Sequence, residues 1–164
     1  MKKLIAILYL MPLFFLNSCC WYCREEIPIM QNYEAVIISR AELESSVQVL
    51  PNRDIENAGK IYIQGNLMFI NEKNKGFHVY SYSNPQLPVP LAFIQVAGAT
   101  DLAVRNSTIY INQAVDLITL QYYPEINTIE ITKRNREVFP QKAAPDGSYA
   151  YLNEGDIIID WQPK

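Results

Sequence analysis

Histidine is almost missing from this chain: His78 is the only one among 164 residues. Without a second imidazole, or a cysteine beside it, neither a nucleophile–base pair nor a histidine-rich metal site can be assembled. Glycine is scarce as well, with six in all. The pair Gly65-Asn66 and its counterpart Asn106-Ser107 carry hairpin-turn chemistry and not that of a phosphate loop. Basic clusters are absent and the formal net charge is −3, which excludes the positive stripe that nucleic-acid binding demands. No apolar run reaches the roughly 20 residues needed to cross a bilayer core. The three cysteines, Cys19, Cys20 and Cys23, sit together near the start, so no disulfide framework runs through the rest of the chain.

What is present begins with an export address. Lys2 and Lys3 form a positive start, and residues 4–16 form an apolar stretch of thirteen, a length that fits a secretory signal. Leu16-Asn17-Ser18-Cys19 resembles the lipobox of bacterial lipoproteins, although Asn17 stands where a small or hydroxylated residue is usual. The resemblance implies cleavage after residue 18 and a lipid anchor on Cys19, with residues 19–34 as a lipidated tether and 35–164 as the folded domain. Removing residues 1–18 takes away two lysines and no acid, so the formal charge moves from −3 to −5. Cys20-Trp21-Tyr22-Cys23 has C-x-x-C spacing, but zinc takes four ligands and redox motifs sit in a βα context. The pair is read as juxtamembrane cysteines, disulfide-bonded or idle.

Eleven tyrosines, ten prolines and abundant isoleucine and valine favour strands and irregular turns. One helix is expected, over 40–46, where Ser39 and Glu42 make an S-x-x-E capping box. Strands are expected at 60–64, 67–71, 77–82, 91–96, 101–105, 108–112, 117–121 and 128–133. They repeat: the segment 61–71 aligns without gaps on 102–112, 41 residues later. Each copy reads strand, tight turn, strand, then a third apolar strand, a proline-containing loop and a fourth strand. Four strands at a period near 40 is the arithmetic of a β-propeller blade. Runs such as Leu67-Met68-Phe69-Ile70 lack in/out alternation, as in sheets buried on both faces. The expected fold is therefore all-β, with two consecutive four-stranded antiparallel repeats of about 41 residues, partial β-propeller-like, and one short N-terminal helix. A two-sheet sandwich is the alternative. Stacked copies require Ile61 and Leu102 to share similar surroundings.

Several segments also resemble the LVIVD-repeat lipoproteins, propeller-like proteins of Gram-negative envelopes. They include Ser39-Arg40-Ala41-Glu42-Leu43, Gly59-Lys60-Ile61-Tyr62-Ile63, Lys75-Gly76-Phe77-His78-Val79, Asp101-Leu102-Ala103-Val104 and Glu137-Val138-Phe139-Pro140, and they run in order from about 39 to 140. The resemblance implies a fold and an outer-membrane or cell-surface location, but no reaction. Family members are generally longer, so two repeats leave apolar faces open. The flanking strands 35–38 and 156–161 are expected to cap the ends; self-association and a truncated family member are the alternatives.

For a site, Asp101 and Asp116 each open an apolar strand, where an aspartate most often satisfies turn amides; calcium coordination or a paired-carboxylate glycosidase arrangement are the sharper options. Tyr122 and Tyr123, beside Pro124, are candidates for presenting aromatic faces to a sugar, with plain packing as the bland alternative. His78 alternates with Tyr80 and Tyr82 and is expected at a half-buried wall position in a structural role. No cofactor, metal or catalytic residue is expected. The function expected is a non-catalytic binding module for a protein or glycan, held to the membrane by its lipid; the alternative is a structural subunit that completes a propeller with copies of itself or a partner chain.

Overall fold

The computed structural model describes residues 31–164. The signal segment 1–18, the lipidation site Cys19 and the cysteines Cys20 and Cys23 lie outside the described residues, as does most of the tether. Among the described residues the elements are β1 (Tyr33–Ser39), α1 (Arg40–Ser45), β2 (Gln48–Pro51), β3 (Ala58–Gln64), β4 (Leu67–Glu72), β5 (Gly76–Ser81) and β6 (Val89–Gln95). They continue as β7 (Ala99–Arg105), β8 (Thr108–Gln113), β9 (Asp116–Tyr123), β10 (Thr128–Asn135) and β11 (Asp156–Pro163). The described residues are mostly β, in antiparallel sheets of five, four and two strands, and among them no sheet closes into a barrel.

The capping box starts α1 as its sequence dictates. The Ser39 amide donates to Glu42 Oε2 at 2.8 Å and the Glu42 amide donates to Ser39 Oγ at 3.3 Å, which satisfies two of the amides that a helix N-terminus leaves free. All eight strands expected between 60 and 133 form, within a residue or two of their expected bounds. Strands β3 to β6 run as one meander and β7 to β10 as another. Their opening hairpins share a register: Ile61 faces Ile70, and Leu102 faces Ile111. The turns differ in type. In Gly65-Asn66 only Gly65 has a positive φ, +57°, whereas Asn106 and Ser107 both do, at +48° and +64°; these are the II′ and I′ patterns of two-residue hairpins.

The two meanders pack face to face. Phe69, Phe77, Val79 and Ile94 of the first meet Leu102, Ile109, Ile111, Ile118, Leu120 and Tyr122 of the second in one buried layer. Each fully buried aliphatic or aromatic side chain there contributes about 1.5–3 kcal/mol.

The outer faces depart from expectation. A cross-strand row Ile61, Ile70, His78, Phe93 runs over the outside of the first sheet, while the matching row Leu102, Ile111, Ile118 lies inside, against the first sheet. Ile61 is consequently 59% exposed and Leu102 only 4%. The surroundings of these two residues are dissimilar, because the same face of the meander is covered in one case and has no earlier sheet over it in the other. Burial on both faces holds in the middle of the first sheet, where Ile70, His78 and Phe93 of the outer row are buried as well, and fails at its edge strand β3. The second sheet's outer row, Ala103, Tyr110, Thr119 and Lys133, is largely polar and suits water.

The flanking strands also differ from expectation. They do not cap two ends but pair with each other, Ala35 opposite Trp161 and Ser39 opposite Asp156. The resulting ribbon lies at one end of the sheets, where Asn74 Nδ2 donates to Asp160 Oδ1 at 2.5 Å. A second cluster of Leu43, Val115 and Ile157 packs α1 under it. Strand β2 was not expected; it adds to β6 as an edge, and Pro51 at its end is tolerated because an edge strand has no outer partner needing its amide.

Candidate functional site

The meander connections alternate between two ends. The turns at 65–66, 106–107 and 124–127 gather at one end, opposite the ribbon. There the layer between the sheets opens into a cleft of about 340 Å³. Its apolar floor is Leu67, Phe69, Val104 and Ile109, and its wall is Tyr122 and Tyr123 on the last residues of β9. Polar groups from Gln64, Ser107, Gln121 and Glu125 reach the rim.

The two tyrosines are held differently because neighbouring strand residues face opposite sides. Tyr122 points inward and is buried, and its hydroxyl donates to Asn127 Oδ1 at 2.9 Å. Burial, then the nearby Glu125 charge, raises its pKa. Tyr123 is half-buried, with its hydroxyl 3.0 Å from Glu130 Oε2 and 2.7 Å from Gln121 Oε1. The hydrogen bond to Glu130 raises its pKa in turn. Both phenols therefore stay neutral at physiological pH. They supply apolar rings, and hydroxyls already held by Asn127, Gln121 and Glu130, but no anionic nucleophile, a set of groups suited to binding.

The structure does not bring the two aspartates to this cleft. Asp101 sits on β7 and clasps the two sheets together, accepting from Lys60 Nζ at 2.8 Å, from the Tyr62 hydroxyl, and from the Leu102 amide at 2.9 Å. The Lys60 and Tyr62 hydrogen bonds hold its carboxyl below the usual range. Asp116 is fully buried near the ribbon end. It accepts from Arg40 Nη1 at 2.7 and 2.8 Å, from Arg134 Nη1 at 2.7 Å and from the Glu137 amide at 3.1 Å. Burial pushes its pKa up, but the two arginines and the amide outweigh that and leave it lowered. Among the described residues no three His, Cys, Asp or Glu side chains gather as a metal site.

Sequence reasoning missed a second buried polar group. Glu72, fully buried, accepts from His78 Nε2 at 2.7 Å and from the amides of Asn57 and Glu56 at 3.0 and 3.3 Å. His78 itself is 1% exposed, deeper than the half-buried wall position expected of it. Because a carboxylate only accepts, Nε2 is the protonated nitrogen of the ring. Arg53, 4.1 Å above the Phe93 ring, helps to seat the same segment over the first sheet. Glu72 and Gln113, 41 positions apart, end equivalent strands and both are fully buried; that spacing was the available signal. The cleft floor carried no signal beyond apolarity, since Leu67 and Val104 read like any strand residue. The chain matches no protein-family model, no curated protein and no solved structure.

Proposed function

We propose that this chain is a lipoprotein held through Cys19 at the outer membrane or surface of a Gram-negative bacterium, and that it acts there as a non-catalytic binding module. The observation that carries the binding assignment is the cleft walled by Tyr122 and Tyr123, at the end of the sheets opposite the ribbon through which the chain enters the fold. Aromatic faces with amide, hydroxyl and carboxylate groups around them suit a sugar ring, whose apolar C–H faces stack while its hydroxyls find partners. A glycan is therefore the preferred ligand. The finer reading of the two meanders as a short propeller-like array rests on the 41-residue sequence repeat and on the resemblance to LVIVD-repeat lipoproteins, and the unlike surroundings of Ile61 and Leu102 lend it no support.

The test is isothermal titration of the full chain with oligosaccharides released from the bacterial envelope, alongside Tyr123→Ala. Binding that weakens at least about tenfold in the variant, with an unchanged melting temperature, supports the proposal. Equal binding by both forms, or none across the panel, overturns it.

One observation favours a second role, a structural subunit that assembles with other chains. Ile61 and Ile63, 59% and 52% exposed, lie side by side on β3, whose outer edge is unpaired. Apolar side chains on an open edge strand invite association.

A further inference from the structure

We propose that the loop 144–152 rests against the lipid bilayer and fixes the orientation of the domain on it; this rests on the assignment of a lipid anchor to Cys19. Tyr149 and Tyr151 pack edge to face with ring centroids 5.5 Å apart, yet they are 55% and 88% exposed and belong to neither core cluster. Ile37 and Ala150 extend the same apolar surface, and Tyr33 and Lys164 adjoin it.

The place of this loop selects its occupant. The Asn32 amide donates to Asp146 Oδ2 at 3.0 Å, and the Lys164 amide donates to the Asn32 carbonyl at 2.9 Å. The point where the tether joins the domain and the tyrosine loop are thus one unit. Twelve residues lie between Cys19 and Asn32, which makes thirteen steps along the chain. At about 3.5 Å per step they reach at most roughly 45 Å. A lipid on Cys19 therefore holds the loop close to the bilayer, where even a weak contact becomes an intramolecular one. Tyrosine is suited to that depth, because its ring enters the apolar boundary while its hydroxyl stays among the headgroups. With Asp146 and Glu34 beside the lone Lys164, the loop has no positive cluster, so the contact draws on aromatic burial and not on anionic lipid. The cleft, at the opposite end of the sheets, then faces away from the membrane.

The test uses the full chain, expressed with its signal and reconstituted in phosphatidylcholine vesicles with or without lipids brominated on the upper acyl chain. Tryptophan is placed singly at Tyr149, Tyr151 or Leu87, the last being an equally bare residue, 68% exposed, in the loop between β5 and β6. The native Trp21 and Trp161 form a common background. Expected is added quenching for Tyr149→Trp and Tyr151→Trp at least about twice that of Leu87→Trp. Equal quenching at all three sites, in chain that floats with the vesicles, overturns the membrane contact while leaving the anchor intact. Chain that does not float overturns the anchor, and this inference falls with it.

Discussion

Arg40 Nη1 lies 2.8 and 2.7 Å from the two carboxylate oxygens of Asp116, which ties the first residue of α1 to the first residue of β9 across 76 positions of sequence. Arg134 completes the arrangement from β10, so one buried carboxylate fixes the helix and both strands at the ribbon end. Asp116→Ala leaves the Arg134 guanidinium without its counter-charge and Arg40 with only the exposed Glu137 carboxylate, 3.7 Å away, and a loss of about 3 kcal/mol is expected in urea unfolding. Glu44→Ala removes the exposed pair with Arg136 and should cost under about 1 kcal/mol.

Acid should unfold the domain through two carboxylates. Asp116 and Glu72 both have lowered pKa values in the fold: burial raises each, and it is outweighed by Arg40 and Arg134 for the first, and by His78 and the Glu56 and Asn57 amides for the second. A carboxyl with a lowered folded pKa binds protons more readily when unfolded. Its contribution is complete above the unfolded values of about 4 and is lost as pH falls through the folded value. Melting temperature measured from pH 7 downward should therefore hold until roughly pH 5 and then decline. Asp116→Asn should start lower and decline less steeply.

The same carboxylate logic makes Glu72 the clasp of the segment before β3. Glu72→Gln replaces one accepting oxygen with a donating amide, so at least one of its partners among the Glu56 amide, the Asn57 amide and His78 Nε2 loses its acceptor. A cost of about 1–3 kcal/mol is expected. Limited proteolysis followed by mass spectrometry should then find cleavage between residues 52 and 57 that the parent chain resists.

Two glycines should respond oppositely to substitution. Gly76 has φ +145°, and a β-carbon there would overlap the Ile94 carbonyl oxygen, a backbone atom that cannot swing away. Gly65, with φ +57°, has nothing within 4 Å of an added β-carbon. Gly76→Ala should cost more than about 2 kcal/mol, whereas Gly65→Asn, which tolerates a left-handed backbone, should cost under about 1 kcal/mol. Thermal denaturation of the two variants compares them directly.

Replacing Ile61 and Ile63 with threonine should leave folding stability within about 0.5 kcal/mol, because exposed sites contribute little. If the open edge of β3 drives association, light scattering will find a smaller mass for the double variant than for the parent. Equal masses exclude that face as an assembly surface.

What the sequence made legible was local. Ser39 and Glu42 mark the helix start because both partners of the capping box lie within one turn, and Asn106-Ser107 marks a hairpin because the left-handed conformation favours few residues. Runs rich in β-branched and aromatic residues, separated by turn signals, located the strands of both meanders. Long-range facts were hidden. Nothing in Ala35 or Trp161 announces that they face each other, since pairing across the whole chain leaves no periodic trace. The contrast between Ile61 and Leu102 was hidden for a related reason: two similar strands carry one pattern, and only the neighbouring layer decides which is covered. Tyr122 and Tyr123 were recognisable as aromatic candidates, but the cleft they wall depends on two sheets diverging at one end.

Pairing of β1 with β11 makes completion of this domain wait for its last described strand. During synthesis the first strand emerges early and has no mate until Asp156–Pro163 leaves the ribosome. The closing step spans a very large loop, and such long-separation contacts form late. Until then Ile38 and Leu43 lack the Ile157 side chain that helps to bury them. A nascent chain interrupted before residue 156 is expected to expose that end and to be sticky.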